Sequence, residues 1–102
     1  MDTLVIPVFI QFSNQFMLTV NALIDSGTLV CFFDYILAYQ YNLLTSKKRT
    51  PLMVEVIDSQ EILSEAVIYE TGLLMMRYQD HYEEIKFNLI QMLHHHVILR
   101  LS

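Results

Sequence analysis

Apolar and polar residues alternate along most of the chain with a period of two, which is typical of β-strands. The segments Thr3 to Gln11 and Phe16 to Ile24 are both rich in β-branched and aromatic side chains, and Ser13-Asn14-Gln15 between them has the composition of a turn. We therefore predict a hairpin that delivers Asp25 at its end. Because Pro7 has no backbone N–H, the first strand should lie at a sheet edge or be bulged there.

The pattern then changes to a helical one for about two turns. Apolar residues stand at Phe33, Ile36, Leu37 and Tyr41, and Asp34 occupies a position suited to an N-cap. This spacing predicts a short helix over 33–41.

Two more hairpins are predicted after Pro51, which we expect to open a new strand. In the first, 51–57 and 62–69 flank the turn Asp58-Ser59-Gln60-Glu61; in the second, 73–78 and 83–90 are joined by Gln79-Asp80-His81. In the last of these strands Ile85, Phe87 and Leu89 alternate with Lys86 and Asn88, so one face should be buried and the other solvated. The elements together predict an all-β fold: a small, closed, mainly antiparallel β-barrel with one or two short helices.

Length and composition favour one domain that associates with itself. The 102 residues suffice for a single domain over 1–102, and 54% are apolar with a mean hydropathy of +0.39. Such a surplus of apolar residues usually marks an interface, so we expect an oligomer. The net charge of −5 argues against nucleic-acid binding, which needs clustered cations; Lys47-Lys48-Arg49, the only basic run, is interpreted as a solvated loop.

No apolar stretch is long enough to span a membrane, and the first residues lack the basic region of a signal peptide. We expect a cytoplasmic protein that does not bind membranes. The single cysteine, Cys31, is interpreted as a small buried hydrophobe. His94-His95-His96 suggests metal binding, but neighbours in an extended strand point to opposite faces and no nearby ligand completes a tetrahedral set. We predict no metal site and no cofactor.

Asp25-Ser26-Gly27 carries the most distinctive chemistry of the chain. An aspartate at a strand end, a hydroxyl beside it that can lock the turn, and a glycine that leaves room for an approaching backbone suit a catalytic carboxylate. The same tripeptide is also a common turn, so its context must decide between the two interpretations.

Several spaced segments supply that context. They are Val20 to Gly27, Phe33-Asp34, Ala38, Tyr41-Asn42-Leu43, His81 to Phe87 and His94 to Leu99. In this order the chain resembles the retropepsin-like aspartic protease domains of gypsy-type retrotransposons and of the Gag-like proteins that mammals have domesticated from them.

The resemblance implies a homodimer in which each subunit contributes Asp25 to a catalytic dyad. One chain has one Asp-Ser-Gly, and two carboxylates must share a proton, so the second comes from a twofold-related copy. Ser26 and Gly27 would complete the catalytic turn, with Thr28, Ile98, Leu99 and Arg100 supporting the dyad. The family's flap, which closes over bound peptide, would correspond to Ile57, Asp58, Ser59 and Gln60.

Two departures from the family pattern leave the activity open. The flap turn contains no glycine, and Arg100 stands where the family has a glycine after two apolar residues. The chain is therefore either a homodimeric endopeptidase that cleaves peptides or a catalytically silent domain that keeps the fold for dimerisation or protein interaction.

Overall fold

A computed structural model describes residues 4–13, 16–25, 30–57, 62–92 and 94–100. Its elements, in chain order, are β1 (Leu4–Ser13), β2 (Phe16–Asp25), β3 (Phe32–Asp34), α1 (Tyr35–Gln40), β4 (Thr45–Ile57), β5 (Ile62–Tyr78), β6 (His81–Ile90) and β7 (Val97–Arg100). The predicted all-β class is confirmed.

The strands form one sheet that closes on itself. Their order is β1-β2-β7-β3-β6-β5-β4, and an additional pairing of β1 with β5 closes six strands into a barrel, with β4 outside the ring. Most pairings are antiparallel, but β2 with β7 and β3 with β6 are parallel, so the barrel is mixed. The predicted small closed barrel is thus confirmed.

The first hairpin forms as predicted. β1 pairs antiparallel with β2 from Leu4 opposite Ile24 onwards, and Pro7 lies opposite Asn21. On its other side β1 pairs with β5 only from Phe9 to Gln11. Pro7 therefore occupies an edge position within the described pairings, as its missing N–H requires.

The predicted helix exists but is shorter than 33–41. Phe33 belongs to β3, where it is fully buried, and the helix begins after Asp34. The N-cap prediction is confirmed, because the Asp34 carboxylate accepts a hydrogen bond from the backbone N–H of Ile36. Among the described residues α1 is the only helix, and it is too short to span a membrane.

The second and third hairpins share one long strand. β5 runs unbroken through 62–78, pairing first with β4 and then with β6. The prediction that Pro51 opens a strand is wrong: β4 begins at Thr45, and Pro51 lies inside a shift of register between Lys47 and Leu52. The last turn is tight, with Tyr78 opposite His81 and Gln79 at φ 53°.

Two apolar clusters lie on the two faces of the barrel wall. The larger cluster fills the barrel and includes Phe33, Phe87 and Leu99. The smaller cluster lies on the other face of the wall; its buried members are Leu23, Phe32, Val67, Ile90, Met92 and Ile98, with Leu52 packed against them. It joins the base of the β4–β5 hairpin to the strands around Asp25.

Candidate active site

Asp25 is the last residue of β2, a strand that does not pair with the one that follows it in sequence. β7 lies in the sheet between β2, which ends at Asp25, and β3, the next strand along the chain. Asp25 is half-buried at the end of this arrangement. The strand end therefore holds the carboxylate at the barrel surface, within reach of a ligand or a second subunit.

Part of the predicted site lies outside the described residues. These residues are Ser26, Gly27 and Thr28, which follow Asp25, and Asp58, Ser59 and Gln60 of the predicted flap. Ile57 ends β4, where it pairs with Ile62, so the hairpin reaches the position predicted for the flap.

The closing strand β7 fixes the end of β2 by parallel pairing. Leu23 pairs with Ile98 and Ile24 with Leu99. Alternate side chains of β7 enter the two clusters, Leu99 the barrel interior and Ile98 the smaller cluster, and both are buried. These two predicted supporting residues thus lie directly beside the strand that carries Asp25.

Arg100 pairs in register with Asp25 and its side chain is exposed. The pairing continues from Ala22 with Val97 to Asp25 with Arg100 without a shift. The strand therefore carries an arginine next to Asp25 without a break in the sheet and without a buried cation.

A cavity of about 230 Å³ lies beside this strand end. Ile24, Leu99 and Cys31 form part of its wall, and Glu83 and Arg100 add charged groups. Burial raises the pKa of the Cys31 thiol, and the hydrogen bond and positive charge of Arg100 oppose that effect only in part. The predicted burial of Cys31 is confirmed, and the raised pKa keeps its thiol protonated at neutral pH.

The histidine run lies at the opposite end of β7 from Arg100. The backbone N–H of Asp34 donates to the carbonyl of His96 at 2.8 Å, and His96 Nδ1 lies 3.9 Å from Asp34 Oδ2. The Asp34 carboxylate also accepts from the N–H of Met92. His96 thus helps attach the segment before β7 to the helix cap; no group of three potential ligands for a metal occurs in the described part of the chain.

Asn88 is a buried polar residue that the sequence pattern does not reveal. The alternation with apolar neighbours predicts it on a solvated face, but it is 6% exposed and hydrogen-bonded to Lys48. The predicted solvent exposure of Asn88 is wrong because the β4 segment that contains Lys48 covers its side chain. Lys48 was correspondingly assigned to a solvated loop, but lies half-buried in β4.

A comparison with protein families adds the final observation. Residues 21–102 match the family described as the PEG10/RTL1 protease domain. The match begins within β2, four residues before Asp25, and includes every later element of the barrel. The chain belongs to this PEG10/RTL1 protease domain family, a retropepsin-like domain domesticated from a retrotransposon.

Proposed function

We propose that this domain is an aspartic endopeptidase that acts as a homodimer. The observation that carries the proposal is the position of Asp25, half-buried at the end of β2 and held there by parallel pairing with β7. Each chain offers one carboxylate of this kind in an Asp-Ser-Gly turn. A twofold axis beside the strand end would bring two of them together.

In such a dimer the two Asp25 carboxyl groups share one proton, because like charges in contact cannot both ionise cheaply. The ionised carboxylate takes a proton from a water molecule, whose oxygen forms a bond to the carbonyl carbon of the peptide. The protonated carboxyl gives its proton to the carbonyl oxygen. The tetrahedral intermediate then breaks its C–N bond: the carboxyl that took the proton of the water gives it to the amine nitrogen, and the other carboxylate takes a hydroxyl proton from the intermediate, which restores the shared proton.

The β4–β5 hairpin would cover the bound peptide. Its paired arms, 52–57 and 62–67, extend beyond the barrel from a base that packs on the smaller apolar cluster. We also propose a cytoplasmic location, since the one cysteine is free and buried, as suits a reducing compartment.

Arg100 supports a second candidate function, a catalytically silent domain for dimerisation or protein interaction. Its position opposite Asp25 puts a cation close to the proposed dyad. A neighbouring positive charge favours ionisation of both carboxylates and so removes the shared proton that serves as the general acid.

The test is incubation of the purified domain with a peptide library at acid and neutral pH, with and without a transition-state-mimicking aspartic protease inhibitor. We expect cleavage that the inhibitor blocks and Asp25→Asn abolishes. The same substitution removes the repulsion between two carboxylates, so the dimer should be as stable or more stable near neutral pH. Absence of cleavage under all conditions favours the silent domain. If Asp25→Asn markedly weakens the dimer at pH 7, Asp25 is an ordinary turn residue.

A further inference from the structure

The base of the β4–β5 hairpin is irregular. Lys47 pairs with Tyr69 and Leu52 with Val67, so four residues of β4, 48–51, lie opposite the single residue Ile68. Such a bulge interrupts the ladder and lets the strand bend. The position of the hairpin arms, 52–57 and 62–67, therefore depends on what holds this bulge.

Lys48 is the residue of the bulge that reaches into the barrel wall. Its side chain is only 18% exposed, and its Nζ donates to Asn88 Oδ1 at 2.8 Å and lies 3.3 Å from Glu70 Oε2. A partly buried ammonium is costly unless it is paired, so these contacts restrict where the bulge can lie.

Asn88 passes this connection on to β3. Its Nδ2 donates to the Cys31 carbonyl oxygen at 3.4 Å, and its backbone N–H donates to the same oxygen at 2.9 Å. Lys48 can only donate and a carbonyl can only accept, so the orientation of the amide is fixed by its two partners. A leucine fits a similar volume but makes neither side-chain bond.

Cys31 leads back to the proposed catalytic strand. It is the last residue before β3 in the connection that begins at Asp25, and it lines the same cavity as Arg100. Arg100 is the residue paired with Asp25. Polar contacts thus run from the hairpin base through Asn88 to Cys31, which lies on the cavity beside the strand end at Asp25.

We propose that Asn88 is a positioning residue that couples the base of the β4–β5 hairpin to the segment returning from Asp25. Apolar packing of Leu52 and Val67 also holds the hairpin, but such contacts are non-directional. The hydrogen bonds of Lys48 and Asn88 are directional, and they restrict where the base of the hairpin lies relative to the segment before β3. The consequence for peptide binding rests on the proposed function; the coupling itself does not.

Hydrogen exchange of backbone amides tests the coupling without any need for activity. Asn88→Leu and Lys48→Met should each speed exchange in the hairpin arms and in residues 30–34 by about tenfold, the scale of a hydrogen bond to a charged group. The double variant should add little to either single one, because both cut the same chain. Exchange of Val8 and Val20 in the first hairpin should not change.

Lys86→Met is the matched control. Lys86 also pairs with Glu70, at 3.6 Å, but its side chain is 55% exposed, so its substitution should leave exchange in both regions unchanged. The proposal is overturned if exchange becomes faster only in the hairpin arms, if it becomes faster in neither region, or if Lys86→Met speeds it equally. It is also overturned if the effects of the two substitutions add in the double variant. Should Asn88→Leu not fold, Lys48→Met compared with Lys86→Met decides the matter.

Peptidase kinetics then connect the coupling to the proposed function. If the domain cleaves peptides, Asn88→Leu should raise KM more than it lowers kcat, since the hairpin binds substrate and Asp25 performs the chemistry. A kcat effect with unchanged KM overturns the role in peptide binding. If the unmodified domain cleaves nothing, the proposed function fails, but the exchange data still establish or refute the coupling.

Discussion

A single exposed residue, Arg100, should limit the activity of the proposed dyad. Its register with Asp25 puts a positive charge near the proposed dyad, and its exposure means that solvent and salt screen that charge. Arg100→Gly should therefore raise kcat/KM or inhibitor affinity only by about two- to fivefold, the scale of a screened charge–charge interaction. The gain should shrink as ionic strength rises.

Two further variants separate charge from backbone freedom at this position. Arg100→Gln removes the charge without adding the freedom of glycine, and it should show most of the gain. Arg100→Lys keeps the charge and should show none. If the unmodified domain cleaves efficiently and Arg100→Gly changes nothing, Arg100 is a harmless surface residue and the silent alternative loses its support.

At the residue scale, the sequence alone identifies Asp25 as a candidate site residue but does not reveal that Asn88 is buried. The reason for this difference is physical. Asp25 follows an apolar run and precedes Ser26-Gly27, a local signal that needs no knowledge of the fold. Asn88 alternates with buried neighbours as an exposed residue does, and it is buried only because Lys48, forty positions earlier, folds over it. Contacts between distant residues leave no periodic trace in the sequence.

At the scale of an element, the bulge in β5 should depend on one hydroxyl group. The ladder passes from Glu70 opposite Asn88 to Leu73 opposite Lys86, which leaves Thr71 and Gly72 opposite Phe87 alone. The fully buried Thr71 Oγ1 accepts from the Phe87 N–H at 3.0 Å and donates to the Gly72 carbonyl at 2.7 Å. The hydroxyl thus satisfies a backbone donor that the bulge deprives of its ladder partner.

Thr71→Val should lower the free energy of unfolding by about 1–3 kcal/mol, because it leaves that buried N–H without its acceptor while preserving the side-chain shape. Thr45, which pairs with Thr71 but is exposed, offers a matched control; Thr45→Val should change stability by no more than about 0.5 kcal/mol. Urea unfolding of both variants at one protein concentration makes the comparison. Equal stability of the two would show that the hydroxyl does not hold the bulge.

The elements also show which boundaries a sequence can predict. The two paired strands of the first hairpin and the Asp34 cap follow from local residue preferences, and the structure confirms both predictions. The start of β4 was missed because Pro51 normally interrupts a ladder, whereas here it falls within a bulge between two paired stretches. Tertiary pairing of Thr45 with Thr71 extends the strand where local propensity predicts a loop.

At the scale of the whole molecule, apolar residues are exposed at both ends of the first hairpin. Leu4 is 59% exposed and lies opposite Ile24 at the Asp25 end, while Met17 is 50% exposed about 20 Å or more along the same hairpin. Surplus apolar surface indicates an interface, but exposure alone does not say which end is used. The proposed dyad requires the Asp25 end.

We therefore expect sedimentation equilibrium at tens of micromolar to show a dimer whose interface includes Leu4. Leu4→Glu would place a charge in an apolar contact and repeat it across the twofold axis, so the dissociation constant should rise by about tenfold or more. Met17→Glu makes the same change at a similarly exposed position on the far end of the hairpin, and it should leave the dimer intact. A strictly monomeric protein removes the dyad, and with it catalysis by this chain alone. A dimer broken by Met17→Glu and not by Leu4→Glu would place the interface at the wrong end of the barrel for two Asp25 carboxylates to meet.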